Sequence, residues 1–162
     1  MDAVNLIGLE LNDVFVKQSE KLSAILAQQH VVHDAVTERN WPGLEFALKQ
    51  LDDLTIEVAE LDKKTQSLLD ELNVEDVSKI YEFSSMFNST LREELLSNFR
   101  TMQQKLNISR IENTALQDYI RISKDFLDEV MEVAVPNCGK VYSRSGEIVK
   151  TMPSSLVYDS VL

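Results

Sequence analysis

The feature that most constrains this chain is the spacing of its apolar residues, most of which recur at steps of three and four from Leu91 to Val130. Such steps straddle the 3.6-residue turn of an α-helix, so they gather the apolar side chains on one stripe. Glycine occurs four times and proline three times in 162 residues, so few positions interrupt long helices. The pattern predicts one very long helix in the second half of the chain.

Two earlier segments repeat this spacing. The first runs from Leu11 to Val36 and the second from Leu44 to Leu72. Between them lies Trp41-Pro42-Gly43, in which proline suits the first turn of a helix. Asn40, just before it, is a residue that tolerates the left-handed conformation in which helices often end. We therefore expect two long helices that reverse tightly at Asn40 and pack antiparallel.

A shorter apolar pattern between Val77 and Met86 predicts a short third helix. Thr90 and Glu93 have the spacing of a capping box, which would begin the long last helix. Val135-Pro136 would end it, because the residue before proline is driven toward extended geometry. The predicted fold class is all-α: an elongated antiparallel bundle of three long helices, or a coiled-coil hairpin, plus a short connecting helix.

The chain divides in composition near residue 135. Residues 1–135 are predicted to form the helical bundle domain, and residues 136–162 an irregular C-terminal tail. The tail contains a turn-like Tyr-to-Gly segment, Val141 to Gly146, and a short apolar segment from Met152 to Tyr158. Neither segment is long enough to form a domain.

The net charge of −11 makes nucleic acid and membrane surfaces unfavourable partners, because both present negative charge. The tail carries three basic and two acidic residues, so the acidity lies in residues 1–135. A single cysteine, Cys138, cannot form an internal disulfide, which favours a reducing compartment. We expect a cytoplasmic protein without membrane insertion.

Catalytic and metal-binding patterns are weak. His30 and His33 lie three residues apart on the first predicted helix and could form half of a metal site, but no second histidine pair completes it. The Glu-x-x-His pairs of helical carboxylate metalloproteins are missing, since Ala27 stands three residues before His30. Phosphate-binding loops and catalytic triads are absent from the sequence. We expect no enzymatic activity, no cofactor and no metal.

The long last helix carries a second apolar stripe in its C-terminal half, beside the main one. Its residues are Ala115, Tyr119, Ile122, Phe126 and Val133. Such width suits a surface that accepts an amphipathic helix from a partner, although the tail or the other helices would cover it equally well. The polar residues Ser109, Asn113 and Ser123 interrupt the main stripe, where buried polar groups fix helix register or loosen the seam. Register is the favoured interpretation.

Two segments resemble motifs of the FlgN family of flagellar export chaperones. Asn107-Ile108-Ser109-Arg110-Ile111-Glu112-Asn113 is similar to the basic, apolar and asparagine pattern of that family's last helix. Val141 to Gly146 is similar to its tyrosine-to-glycine tail motif. Members of the family bind the terminal helices of flagellar hook-filament junction proteins, prevent their premature assembly and deliver them to the type III export gate.

The resemblance implies where this chain would bind its partners. The cargo surface would consist of Tyr119, Ile122, Phe126, Val130 and Val133. Tyr142 would be a candidate docking residue, the partners would be the junction proteins and the flagellar export gate, and the chain would be a monomer or weak dimer. The alternative is a self-associating coiled-coil scaffold or tether, in which the second stripe is a seam between copies of the chain.

Overall fold

The computed structural model describes residues 3–134, 140–142 and 148–150. Three long helices dominate: α1 is Ala3–Thr37, α2 is Trp41–Glu71 and α4 is Ser89–Ala134. Between α2 and α4 lie a 3-10 turn at Val77–Lys79, the short helix α3 at Ile80–Phe83 and a second 3-10 turn at Ser84–Met86. The all-α prediction and the predicted short connecting helix are confirmed.

Two short strands follow the helices. Strand β1 is Lys140–Tyr142 and β2 is Ile148–Lys150, and they pair antiparallel with Tyr142 opposite Ile148. The prediction of an irregular tail is therefore wrong for these six residues. Valine, isoleucine and tyrosine favour extended pairing, and four of the six positions carry them. Residues 143–146 of the predicted turn-like segment, and the apolar segment at 152–158, lie outside the described residues.

The chain separates into two compact units, Met1–Asp118 and Tyr119–Leu162, and the division falls within α4. The predicted boundary at residue 135 stays a prediction. The first unit contains α1, α2, the short connection and the first part of α4. The second contains the remainder of α4 together with β1 and β2.

Helices α1 and α2 run antiparallel in the first unit. Gln18 Nε2 donates a hydrogen bond of 2.7 Å to Asp62 Oδ1, and Lys21 forms an ion pair with Glu57. Further along, Gln28 Nε2 donates to the carbonyl of Ala47 at 3.2 Å. The residue number of the α2 partner falls as the residue number along α1 rises, as expected for a helical hairpin with a tight turn.

Helix α1 and the first part of α4 run parallel. Asn98 Nδ2 donates to Asn12 Oδ1 at 2.8 Å, and Lys105 Nζ donates to the carbonyl of Ser19 at 3.3 Å. The rings of Phe15 and Phe99 lie 5.3 Å apart and are both almost completely buried. The residue numbers of both helices rise together along these contacts. The short connection brings the chain back to the beginning of α1, so α4 starts beside it.

Among the described residues, one hydrophobic core joins α1, α2, α3 and the first part of α4. Its fully buried members include Leu11, Phe15, Leu69, Ile80 and Leu95. Close approach of α1 to the beginning of α4 depends on Gly8. A Cβ atom there would lie 2.8 Å from the ring of Phe87 and 2.9 Å from Leu91, which is closer than carbon atoms pack.

The turn between α1 and α2 corrects one sequence prediction. Arg39, rather than Asn40, adopts the left-handed conformation, with φ of 56°. Asn40 is the N-cap of α2, and its side chain accepts a hydrogen bond of 3.0 Å from the backbone of Gly43. With so short a connection, the asparagine is needed to cap the next helix, so its neighbour takes the left-handed position.

The beginning of α4 also differs from the prediction. Asn88 Oδ1 accepts a hydrogen bond of 2.9 Å from the backbone of Leu91, so Asn88 caps the helix. The capping box predicted from Thr90 and Glu93 is wrong, because the helix already begins at Ser89. Asparagine caps helices at least as well as threonine, and it comes first along the chain.

Candidate partner-binding surface

Four apolar side chains form an exposed strip in the second unit. They are Ile122, Phe126, Val130 and Val133, with exposed fractions of 63%, 58%, 44% and 81%. Their steps of four, four and three residues place them on one face of α4. The strip extends over about 16 Å of helix, given a rise of roughly 1.5 Å per residue.

The remaining predicted partner-binding residues lie in different settings. Tyr119 belongs to the same helical face, one turn before the strip, but is half-buried and has an interaction partner. Tyr142 lies on β1, and only its backbone pairing with Ile148 is described. The structure therefore brings four of the six predicted residues together, and the docking role of Tyr142 stays a prediction.

The other side of this part of α4 is more buried. Ile120, Ser123 and Leu127 are half-buried. The sequence placed Val130 on the main stripe together with Leu127, but the 44% exposure of Val130 groups it with the strip instead. A residue three positions after Leu127 lies on the border between the two faces, so periodicity alone does not assign it.

Sequence analysis missed Met131, which is 64% exposed. Methionine is flexible and polarizable, a property that suits adaptable contact surfaces. Its position next to Val130 puts it about 100° around the helix from that residue, away from the strip. Its chemical type was the only available signal, because it belongs to neither predicted stripe.

Apolar exposure is not confined to the second unit. On α1, the side chains of Leu6, Leu9 and Val16 also lie at helical spacing, with exposed fractions of 49%, 41% and 36%. Asp13 interrupts them and forms an ion pair with Lys17 at 2.6 Å. The strip on α4 is on average more exposed and carries no charge within its own face, so it is the stronger candidate for a partner.

The polar residues predicted to interrupt the main stripe behave differently from one another. Ser109 is buried, and its carbonyl and hydroxyl oxygens accept hydrogen bonds of 3.1 Å and 3.4 Å from Gln29 Nε2 on α1. Asn113 is exposed, so its predicted place in the seam is wrong: its amide stays in water at no desolvation cost. Only Ser109 joins two helices through described hydrogen bonds.

Asp62, an exposed residue of α2, reaches the seam between α1 and α2 with its carboxyl group. Partial loss of hydration there raises the pKa of Asp62 above its ordinary value of 3.8, while the attraction of Arg110 and the hydrogen bond from Gln18 act in the opposite direction. The Oε1 atom of Gln18 is itself buried without a hydrogen-bond donor. The seam between α1 and α2 therefore contains polar groups, and one of them lacks a hydrogen-bond donor.

Other kinds of site find little support in the described part of the chain. No group of three or more histidine, cysteine or carboxylate side chains there is arranged to hold a metal ion. Among the described helices, none combines the length and apolar character needed to cross a membrane. A surface cavity of about 390 Å³ lies beside the short connection and mixes apolar and charged side chains. Its lining residues are Asn73, Val74, Glu75, Lys79, Glu82, Phe83 and Met86.

Comparison with known proteins finds a distant relative. The chain is 24% identical, over 160 residues, to an uncharacterized protein of Treponema pallidum (strain Nichols), and the match covers 94% of each chain. No protein-family model matches the chain. No solved structure is significantly similar to it.

Proposed function

We propose that this protein is an export chaperone of the FlgN kind. It binds the terminal amphipathic helices of flagellar hook-filament junction proteins, prevents their premature assembly and delivers them to the type III export gate. The observation that carries the proposal is the exposed strip, since four large apolar side chains on one helical face lose water contact only when another surface covers them. The two motif resemblances indicate which partners those would be.

The physical demands on such a chaperone fit an acidic helical protein. A filament subunit exposes an apolar helix face before assembly, and a matching helix can cover that face in a helix-in-groove complex. Release then comes from competition at the export gate, which shifts the populations of bound states without a chemical step. This role requires no catalytic residue, cofactor or metal.

The proposal includes three finer features. The architecture is an antiparallel bundle of three long helices with a short connecting helix. Tyr142 is the residue that docks at the export gate. The protein works in the cytoplasm as a monomer or weak dimer, so that the strip stays available to cargo.

Co-purification with the junction proteins of the same source tests the proposal, with the mass of each species measured by light scattering. We expect the 18.4 kDa chain to form a one-to-one complex that is lost when the terminal helix of the cargo is deleted. Absence of any complex with every junction protein would refute the proposed cargo.

A pair of substitutions tests whether the cargo binds to the strip. Phe126→Glu introduces a charge into the centre of the strip and should weaken cargo binding by roughly thirtyfold or more, as expected for a central aromatic contact. Met131→Glu makes the same kind of change at an equally exposed apolar residue outside the strip and should leave binding intact. Circular dichroism checks that both variants keep their helicity; equal binding by the two would exclude the strip.

The second candidate function is a self-associating coiled-coil scaffold. The same exposed strip favours it, because apolar residues at three- and four-residue steps also pair between identical helices. A stable homo-oligomer that forms without cargo and dissociates on Phe126→Glu would establish the scaffold instead.

A further inference from the structure

Charge is distributed unequally along the two edges of the strip. Asp125 and Glu129 lie four residues apart on one edge, and both are exposed. Glu129 follows Phe126 by three residues and precedes Val133 by four, so its Cβ atom is roughly 5–6 Å from theirs. Asp125 follows Ile122 by three residues. These two carboxylates are next to three of the four strip residues.

The opposite edge of the strip has no charge. Ser123 and Leu127 border it there, and both are half-buried. Arg121 is the first basic residue of the second unit, and it already has an interaction partner. Lys124 precedes Asp125 directly and so points about 100° further around the helix. The acidic edge is therefore not matched by a basic one in this segment.

Neither carboxylate is neutralised by the described part of the molecule. The ion pairs found there involve Asp13, Glu57, Asp34 and Glu75, and no hydrogen bond to Asp125 or Glu129 is formed. An apolar partner without charge would lie next to both groups and gain nothing from them. A partner with cations at that edge would gain attraction at both positions.

We infer that the strip takes an amphipathic helix whose apolar stripe is flanked on one side by lysine or arginine. This inference rests on the proposed function and specifies its cargo: the helix is chosen by its apolar stripe and by a basic edge that meets Asp125 and Glu129. The net charge of −11 steers a basic helix toward the protein over longer distances, whereas the two carboxylates set its position on the strip.

Two synthetic helices test the inference directly. Both are about 20 residues long and carry the same leucine stripe; one has lysine along one edge of the stripe and the other has glutamate there. Fluorescence anisotropy with the full chain in roughly 0.1 M salt measures their affinities, and circular dichroism confirms equal helicity. We expect the lysine helix to bind roughly fivefold more tightly or better, as two exposed ion pairs allow, and the preference to shrink at high salt.

A matched pair of variants separates local from overall charge. Glu129→Lys and Asp128→Lys change the net charge equally, and both positions are exposed. Asp128 lies two residues after Phe126, on the far side of the helix from the strip. We expect Glu129→Lys to remove the preference for the lysine helix and Asp128→Lys to retain most of it. An equal loss in both variants would show that only the overall charge matters and would overturn the inference.

The outcomes also distinguish this inference from the proposed function. Binding of junction proteins, together with equal affinity for the two synthetic helices, would refute the basic edge and leave the chaperone in place. Preference for the lysine helix that depends on Glu129, without binding to any junction protein, would support the surface and refute the cargo. If neither helix binds and the chain forms a homo-oligomer, the strip is occupied by a second copy and the inference fails.

Discussion

At the scale of single residues, the polar groups between helices affect the stability of the fold and its dependence on pH. Asp62 accepts a hydrogen bond from Gln18, yet the net effect of its surroundings raises its pKa. The loss of hydration on burial therefore outweighs both the hydrogen bond and the attraction of Arg110. The folded protein binds a proton at Asp62 more tightly than the unfolded chain does, so ionisation of this group opposes folding.

This residue gives a pH-dependent prediction. The stabilisation from a protonated Asp62 is fully present below its ordinary pKa of 3.8 and is lost as the pH rises through the raised pKa of the folded state. Asp62→Asn keeps an oxygen that accepts from Gln18 and removes the charge. The variant should therefore gain unfolding free energy over the wild type at neutral pH but not at acid pH, as measured by urea unfolding at both.

Asp53→Asn is the control, because it removes the same charge from another exposed position of the same helix, away from the contact with Gln18. It reports how much stability comes from reducing the net negative charge alone. If both variants show the same gain at every pH, burial of Asp62 does not carry the effect.

At the scale of secondary-structure elements, α1 and α4 are joined by one buried polar link. Gln29 is 5% exposed and donates to the carbonyl of Ser109, but its own Oε1 is buried without a donor. A buried unsatisfied acceptor costs about as much as one hydrogen bond contributes. The link therefore contributes little net stability, and the register role of Ser109 stays a prediction.

Two substitutions of Gln29 separate the effect of its polar atoms from the effect of its side-chain volume. Gln29→Met keeps the side-chain volume and removes the unsatisfied oxygen, so the unfolding free energy should stay within about 1 kcal/mol of wild type or rise. Gln29→Ala leaves a cavity as well and should cost about 2 kcal/mol. Chemical denaturation of both variants measures the difference. A loss of more than about 2 kcal/mol in Gln29→Met would show that the hydrogen bonds themselves stabilise the pair.

The elements also show how far sequence reasoning reaches. The predicted helices match α2, α4 and the end of α1 within a few residues, because three- and four-residue spacing and proline are local signals. The start of α1 was missed, since the helix begins at Ala3 and not at Leu11. The caps were harder to assign, since Asn88 and Thr90, or Arg39 and Asn40, offer competing choices within one turn of each other. Selection among them depends on how few residues connect the helices.

At the scale of the whole molecule, buried apolar residues are distributed unevenly along α4. Leu91, Leu95, Phe99 and Met102 belong to the hydrophobic core, and Leu116 is buried as well. Among residues 119–131 and 133, all of which are described, no side chain is fully buried. Local opening of a helix costs least where few apolar contacts hold it.

Hydrogen exchange measured by mass spectrometry tests this difference. Backbone amides of residues 119–134 should exchange at least tenfold faster than those of residues 91–109, because fewer buried contacts oppose their opening. Binding of a junction protein should slow amide exchange in residues 119–134 and leave the exchange of residues 91–109 nearly unchanged. Equal protection in both segments without cargo would mean that the strip is already covered.

The sequence by itself determined the helical class, the positions of the long helices and the existence of a second apolar stripe, because side-chain periodicity and helix breakers act over a few residues. Only the tertiary structure decided that the first part of α4 lies parallel to α1, that Ser109 is buried while Asn113 is not, and that Phe99 lies in the core while Phe126 remains exposed. A periodic pattern identifies the faces of a helix. Which face is covered depends on where other elements end, and that follows from packing between residues far apart in the chain.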